Sequence, residues 1–144
     1  LPNIAKGASK AGRDLKGFEL YAPVFVVTGT NQNDKDKMEM TVKKQIAFYG
    51  STPSYAAILK HHGFEDLGRQ LNTLMRKGNI DKMIKTVPDE LLHDLVVVGE
   101  PSNLGKALKE KYDGILDRVS LYLSMDDESS VGNWEEIVMQ IHSE

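Results

Sequence analysis

Two kinds of hydrophobic pattern alternate along the chain. In the first, apolar residues follow one another without polar interruption, as in Val-Phe-Val-Val at residues 24–27 and Leu-Val-Val-Val at residues 95–98. Such runs are typical of strands that are buried on both faces, and these strands belong mainly to parallel sheets. We therefore predict strands at residues 18–28 and 95–98, with a third at residues 118–123.

In the second pattern, apolar residues recur every three or four positions, which is the spacing of an amphipathic helix. Residues 38–49 follow it and predict a helix with Asn33 or Asp34 as its N-cap and Gly50 directly after its end. In the last predicted helix, Val138 belongs to the buried apolar face. The same spacing predicts further helices within residues 4–11, 53–62, 67–77, 80–87, 104–112 and 133–142.

The predicted order is a strand, several helices, a strand, a helix, a strand and a helix, so the fold class is α/β. The second and third strands are joined by about twenty residues, enough for one helix, and the right-handed crossover rule makes them parallel. No repeat or low-complexity linker divides the chain, so residues 1–144 form a single predicted α/β unit. Three strands are few for a closed barrel or an open doubly wound sheet.

Composition excludes several classes of partner and site. Lys and Arg number 18 against 21 Asp and Glu, a formal charge of −3, so no basic surplus favours binding to nucleic acid or a membrane surface. The chain has no cysteine, which rules out disulfides and thiolate metal sites and fits a cytoplasmic protein. No apolar run approaches the roughly 20 residues of a membrane-spanning helix. Because the first residues, Leu1-Pro2-Asn3, include no initiator methionine, we expect the chain to begin inside a larger protein.

Common catalytic and metal-binding motifs are absent from the sequence. It contains no phosphate loop, dinucleotide-binding motif, zinc-protease motif or serine nucleophile elbow. His61 and His62 are adjacent, so on a helix they point about 100° apart, and we expect no metal site. The acidic runs at residues 89–90 and 126–128 fit helix capping and solvation better than acid–base chemistry or calcium binding.

Two segments remain as candidate binding sites. Residues 99–102, Gly-Glu-Pro-Ser, follow a predicted buried strand and open a helix, where backbone N–H groups can bind an anion. An ordinary strand–helix turn is the alternative there. Residues 47–55 place two tyrosines, two serines and a threonine around one turn between helices. This mixture suits the wall of a pocket for a flat or polar ligand, and helix capping with aromatic packing is the alternative.

Several of these segments resemble those of one known family. Residues 45–55 read Gln-Ile-Ala-Phe-Tyr-Gly-Ser-Thr-Pro-Ser-Tyr, and residues 98–101 read Val-Gly-Glu-Pro. They are similar to the C-terminal half of the luciferase-like monooxygenase superfamily, and the first run is typical of its branch of coenzyme F420-dependent oxidoreductases. Further similar segments are residues 11–14, 22–29, 62–64, 66–67 and 117–119.

The resemblance implies a fold and a reaction. The chain would be the C-terminal part of a (β/α)8 TIM barrel, about three strand–helix units, with residues 18–28, 95–98 and 118–123 as strands six to eight. Residues 53–93 would form a helical insertion after the first strand–helix unit, near the mouth of the barrel. The family binds its flavin or deazaflavin at the carboxyl ends of the strands, and the implied reaction is hydride transfer between reduced coenzyme F420 and an organic substrate.

The resemblance also implies roles for single residues. Thr28 and Gly29, after the first strand, and Gly99, after the second, are the candidate cofactor-binding residues. Tyr49 and His62 are the candidate proton donors. The candidate substrate-binding residues are Tyr49, Ser51, Thr52 and Tyr55.

Alternatives stay open at this point. FMN could replace coenzyme F420, because the superfamily uses both and the strands that distinguish them are missing here. The chain could also be a non-catalytic partial barrel that serves as a binding or oligomerisation module. The expected partners are a small-molecule substrate and, at the sheet edges, a second copy of the chain or the N-terminal half of the barrel. Alone, the chain is expected to be inactive, and an alcohol, a carbonyl compound or a polycyclic substrate all fit.

Overall fold

The computed structural model describes residues 1–122 and 134–142. Strands and helices follow one another in the predicted order, and the α/β class is confirmed. Leu123 at the predicted end of the third strand, the acidic run 126–128 and Asn133 lie outside the described residues. The elements are α1 (Pro2–Lys10), β1 (Tyr21–Val27), α2 (Gln32–Gly50), a 3-10 turn (Pro53–Tyr55), α3 (Ala56–His61), α4 (Leu67–Arg76), α5 (Ile80–Lys85), α6 (Asp89–Leu95), β2 (Val96–Val98), α7 (Pro101–Tyr112), β3 (Arg118–Leu121) and α8 (Trp134–His142).

The three strands form one parallel sheet in the order β2-β1-β3. Carbonyl groups of β1 point alternately to its two edges: Val24 O accepts from Tyr122 N at 2.8 Å on the β3 side, and Val27 O accepts from Gly99 N at 3.1 Å on the β2 side. Three parallel strands confirm the prediction. Their order differs from that of consecutive barrel strands, which would place β2 in the centre.

This strand order determines where the helices lie. The connection from β1 to β2 and the connection from β2 to β3 run in opposite directions along the sheet. Right-handed crossovers that reverse direction place their helices on opposite faces. One face of the sheet therefore packs on α2 and the helices that follow it, and the other packs on α7 and α8.

Alternate residues of β1 contribute to a separate core on each face. On the α2 face, Val27 and Val96 pack with residues of α2 to α6, among them Leu71 and Leu91, which are fully buried. On the α7 face, the cluster consists of Val24, Val26, Val97, Leu104, Leu108 and Ile137. Burial on both faces explains why residues 24–27 are apolar without interruption.

A glycine allows α8 to pack closely on α7. A Cβ atom at Gly105 would lie 2.4 Å from Gln140 Cβ and 2.6 Å from the carbonyl oxygen of Ile137. Gln140 Oε1 accepts a hydrogen bond from Gly105 N at 2.9 Å, and Gln140 Nε2 donates to Pro101 O at 3.1 Å. Close contact and a side-chain amide thus hold α8 against the first turns of α7.

Two predictions about α2 were wrong. Its N-cap is Asn31, whose side chain accepts from Asp34 N at 3.0 Å, rather than Asn33 or Asp34. Gly50 is the last residue of the helix and has no positive φ. Its small size matters instead, because a Cβ atom there would lie 3.0 Å from Leu71 Cδ1.

The apolar patterns also overestimated some strand lengths and burial. β1 covers residues 21–27 rather than 18–28, and Leu95 ends α6 instead of beginning β2. Val138 is 48% exposed, because α8 turns Trp134, Ile137 and Ile141 toward the α7 face. Within the described ranges, no helix is both long and apolar enough to cross a membrane.

Candidate functional site

Three of the predicted cofactor-binding residues lie together at the carboxyl ends of β1 and β2. Val27 pairs with Val98 at the end of the two strands, so Thr28 and Gly29 leave β1 next to the point where Gly99 leaves β2. We call this region the carboxyl edge. Ligands of parallel α/β folds bind at this edge, where helix N-termini converge.

Thr28 is the unusual residue of the carboxyl edge. It is 5% exposed, and its backbone N–H donates to Met38 Sδ at 3.3 Å. Its hydroxyl Oγ1 is buried and has no hydrogen-bond partner among the described residues. A buried hydroxyl without a partner costs about 1–3 kcal/mol, so this group is available to a ligand that reaches it.

The two glycines of the carboxyl edge allow helices to approach the strands. A Cβ atom at Gly29 would lie 2.8 Å from Lys35 N, in the first turn of α2. One at Gly99 would lie 3.3 Å from Leu104 Cα of α7. Both helix N-termini, each with a positive partial charge, therefore lie close to the strand ends.

An ion pair joins these two helix N-termini. Lys35, in the first turn of α2, contacts the carboxylate of Glu100, the N-cap of α7. The Lys35 side chain is 25% exposed, and the Glu100 side chain is 57% exposed. One ammonium group is thus held at the carboxyl edge, in addition to the two helix dipoles.

A second group of residues forms an aromatic cluster, which consists of Phe25, Phe48, Tyr49, Tyr55 and Tyr122. The Tyr49 ring centroid lies 5.3 Å from that of Tyr55, 5.6 Å from that of Phe48 and 6.4 Å from that of Tyr122. Phe25 of β1 contacts Tyr122 at 5.1 Å between centroids. The cluster therefore joins the end of α2, the 3-10 turn and the residue after β3.

Two hydroxyl groups meet within the aromatic cluster. Tyr49 Oη and Tyr122 Oη are 2.9 Å apart and share a hydrogen bond. This hydrogen bond, with a smaller effect of burial, raises the pKa of Tyr49. The Tyr49 hydroxyl therefore keeps its proton at neutral pH and can act as a hydrogen-bond donor.

Ser51 and Thr52 are placed differently from the neighbouring tyrosines. Ser51 is 6% exposed, and its hydroxyl donates to Phe48 O at 2.7 Å. Its own carbonyl accepts from Asn72 Nδ2 at 2.8 Å, while the Thr52 hydroxyl lies 3.5 Å from Phe48 O. Both hydroxyls face the end of α2, and their roles in ligand binding stay predictions.

His62 lies away from the carboxyl edge. Its Nδ1 is 3.0 Å from Asp94 Oδ2, and Asp94 stands two residues before β2 begins. Lys111 Nζ donates to Asp94 O at 3.1 Å and to Val96 O at 2.9 Å. These contacts place His62 at the amino end of β2, so the structure does not bring it together with Thr28, Gly29 and Gly99.

Sequence reasoning missed Tyr122 as a site residue. Tyr122 and Tyr49 are 73 positions apart, and they meet only because β3 pairs with β1. The strand prediction included residue 122 but could not tell which edge of β1 the strand would join. The order of the strands would have shown that Tyr122 lies near Tyr49, but no local sequence pattern contains that order.

Comparisons with known proteins agree with this fold. The family model described as luciferase-like monooxygenase matches residues 1–118. Three mycobacterial proteins, Mb1395 of Mycobacterium bovis and MT1405 and Rv1360 of Mycobacterium tuberculosis, all uncharacterized, are each 36% identical over 119 residues. The match covers 83% of this chain and 35% of each relative, so the chain spans about a third of their length.

A solved structure is also similar. It is the coenzyme F420-dependent tetrahydromethanopterin reductase from Methanopyrus kandleri, with a TM-score of 0.66 and 21% sequence identity. The similarity covers 99% of this chain and 39% of that one. The described α/β fold therefore matches a part of a larger enzyme.

Proposed function

Because the chain belongs to the luciferase-like monooxygenase family, we propose that it is the C-terminal part of an oxidoreductase that transfers a hydride between reduced coenzyme F420 and an organic substrate. Its fold is that of an oxidoreductase family. The choice of coenzyme F420 over FMN is part of the proposal, and it is supported by the similar reductase, which is coenzyme F420-dependent.

The Thr28 hydroxyl carries this proposal. It is buried, has no partner among residues 1–122 and 134–142, and follows β1 at the edge where parallel α/β folds bind their ligands. The N-termini of α2 and α7 bring their backbone N–H groups to the same edge, where the Lys35 ammonium group is paired with Glu100. These donors fit a cofactor with polar and anionic groups.

The residues of this chain would bind and orient rather than react. Coenzyme F420, when bound, would supply the hydride chemistry. Thr28 would hold a polar group of the cofactor through its hydroxyl, and the backbone N–H groups of the two helix N-termini would favour an anionic group. Tyr49 would hold its proton at Oη, where a substrate oxygen can accept a hydrogen bond.

The test is a cofactor titration with a matched pair of variants. The protein used is the longest reading frame that contains this sequence, since the chain spans 35% of its curated relatives. Coenzyme F420 and FMN are titrated in parallel by fluorescence. We expect coenzyme F420 to bind more tightly, and Thr28→Val to weaken that binding about fivefold or more, because one hydrogen bond is lost while the volume stays similar.

Thr41→Val is the control variant. Thr41 lies on the exposed side of α2 and donates to Lys37 O at 3.0 Å, so its loss leaves the carboxyl edge unchanged. Because the buried Thr28 hydroxyl has no partner among the described residues, Thr28→Val should leave the free protein at least as stable as the wild type. Equal cofactor affinities of Thr28→Val and Thr41→Val would contradict the proposed role of Thr28.

A second function, as a non-catalytic binding or oligomerisation module, is favoured by one observation. β3 fills the edge of β1 opposite β2, and helices pack on both faces of the sheet. Such an arrangement supports a unit that folds by itself and pairs with another chain at the outer edges of β2 and β3. Light scattering separates the two functions: a folded oligomer that binds neither cofactor would favour the module.

A further inference from the structure

The aromatic cluster exposes more ring surface than packing alone requires. Phe48 is 53% exposed, Tyr55 is 39% exposed and Tyr122 is 38% exposed. Aromatic side chains each bury large areas when a fold uses them as core, and exposed apolar surface that is gathered in one place commonly marks a binding site. These three rings surround Tyr49, which is only partly exposed.

The rings of the cluster meet at an angle rather than in parallel stacks. The ring pairs around Tyr49 and Tyr122 meet at angles between 60° and 73°, so the contacts are edge-to-face or tilted. Phe48 and Tyr55 are also exposed to solvent, so each has ring surface on which another ring can stack. A flat ligand would therefore find a ring face on Tyr55 or Phe48.

The Tyr49 and Tyr122 hydroxyls add a hydrogen-bond donor to the aromatic cluster. Each tyrosine hydroxyl has one hydrogen, and only one of the two is used in the 2.9 Å hydrogen bond between Tyr49 and Tyr122. Among the described residues the second hydrogen has no acceptor, so it can be donated to a ligand. A carbonyl oxygen accepts such a hydrogen bond without carrying a charge, which suits a site formed by rings and neutral hydroxyls.

We propose that the aromatic cluster binds a planar aromatic carbonyl compound, whose ring stacks on Tyr55 or Phe48 and whose oxygen accepts a hydrogen bond from the Tyr49–Tyr122 hydroxyl pair. The inference rests on the proposed function in that the compound would be the organic substrate. It narrows the substrate from any organic molecule to one with a flat ring next to a carbonyl group.

The experiment compares three small probes on this chain by two-dimensional NMR, without any cofactor. Benzaldehyde has both features, toluene has the ring without the oxygen, and cyclohexanecarbaldehyde has the carbonyl without the flat ring. We expect benzaldehyde to bind most tightly, with saturable shifts at residues 48–55 and 122. Toluene should bind about fivefold more weakly, which corresponds to one hydrogen bond.

Two tyrosine variants separate the role of the hydroxyl from a general effect of substitution. The double variant Tyr49→Phe/Tyr122→Phe keeps both rings and removes both hydroxyls, so no donor remains and the preference for benzaldehyde over toluene should be abolished. Tyr21→Phe is the matched control, because the Tyr21 hydroxyl contacts Ser120 Oγ at 2.7 Å outside the cluster. This control should bind all three probes like the wild type.

The outcomes decide the proposal directly. It is overturned if benzaldehyde produces no saturable shift in the millimolar range, if toluene binds equally well, or if Tyr21→Phe and the double variant Tyr49→Phe/Tyr122→Phe behave alike. Because no cofactor is present, such a failure leaves the coenzyme F420 titration unaffected. Conversely, benzaldehyde binding by a protein that binds neither coenzyme F420 nor FMN would retain the aromatic site and contradict the redox function.

Discussion

The contact between α7 and α8 gives a prediction with a calculable magnitude. Replacing Gly105 with alanine places a Cβ atom 2.4 Å from Gln140 Cβ, whereas carbon atoms in contact are about 3.5–4.0 Å apart. The two helices must therefore separate by about 1 Å. This shift stretches the hydrogen bonds that Gln140 makes with Gly105 N and Pro101 O, which are 2.9 and 3.1 Å long.

Three effects determine the change in the free energy of unfolding. If the helices stay in place, the overpacked contact costs about 1–3 kcal/mol. If they move apart, that strain falls, but two hydrogen bonds worth about 1 kcal/mol each are weakened. The higher helix propensity of alanine offsets about 1 kcal/mol of the loss. We expect Gly105→Ala to destabilise the protein by about 2 kcal/mol and to lower the urea midpoint by about 1 M.

The assay uses the fluorescence of Trp134, the single tryptophan of the sequence, which lies on α8 and packs, partly buried, against the core of the α7 face. Gly7→Ala makes the same substitution within α1, where nothing lies within 4 Å of the added Cβ atom. That control should unfold at the same or a slightly higher urea concentration. If Gly105→Ala is as stable as Gly7→Ala, then the close helix contact is not what holds α8.

Two further predictions concern the first turns of α2 and α6. Gly29→Ala would place a Cβ atom 2.8 Å from the backbone nitrogen of Lys35, so we expect a loss of about 2 kcal/mol in urea unfolding, and an unchanged midpoint would contradict it. The hydrogen bond from Lys43 lowers the pKa of Asp89. The stabilisation that this ion pair gives the folded protein is therefore complete above the ordinary carboxyl pKa of about 3.9, and it is lost as the pH falls through the lowered pKa. Asp89→Asn should therefore lose less stability than the wild type between about pH 5 and pH 2, and an equal loss would show that the ion pair does not contribute.

Local patterns predicted the elements of this fold better than their arrangement. The apolar run at residues 24–27 is enough to show a strand buried on both faces, because each face needs its own apolar side chains. The order β2-β1-β3 depends instead on which edge of β1 is free when β3 pairs, and no pattern within a segment contains that information. The same holds for Asn31, since Asn31, Asn33 and Asp34 are all able to cap a helix and only the path of the chain selects one.

For the candidate site, too, the sequence predicted contacts within one segment but not contacts between distant segments. Tyr49 and Tyr55 come from one segment, and their closeness follows from a turn between two helices. Thr28 was placed correctly at the end of β1, but its unpaired hydroxyl depends on every neighbour that could have bonded to it. Tyr122 joins the cluster only through the pairing of β1 with β3, so the site could not be completed from the sequence.

The central position of β1 has a consequence for the synthesis of the protein. β1 leaves the ribosome before both of its partner strands, because its register places Tyr21 opposite Arg118 and Phe25 opposite Val96, which both come later in the chain. Closing such distant contacts is slow, because the entropy of a long loop must be overcome before the pairing stabilises the chain. Throughout that interval, the two open edges of an apolar strand are accessible to other chains. Other chains can therefore compete with β2 and β3 for the edges of β1 until residue 121 has emerged.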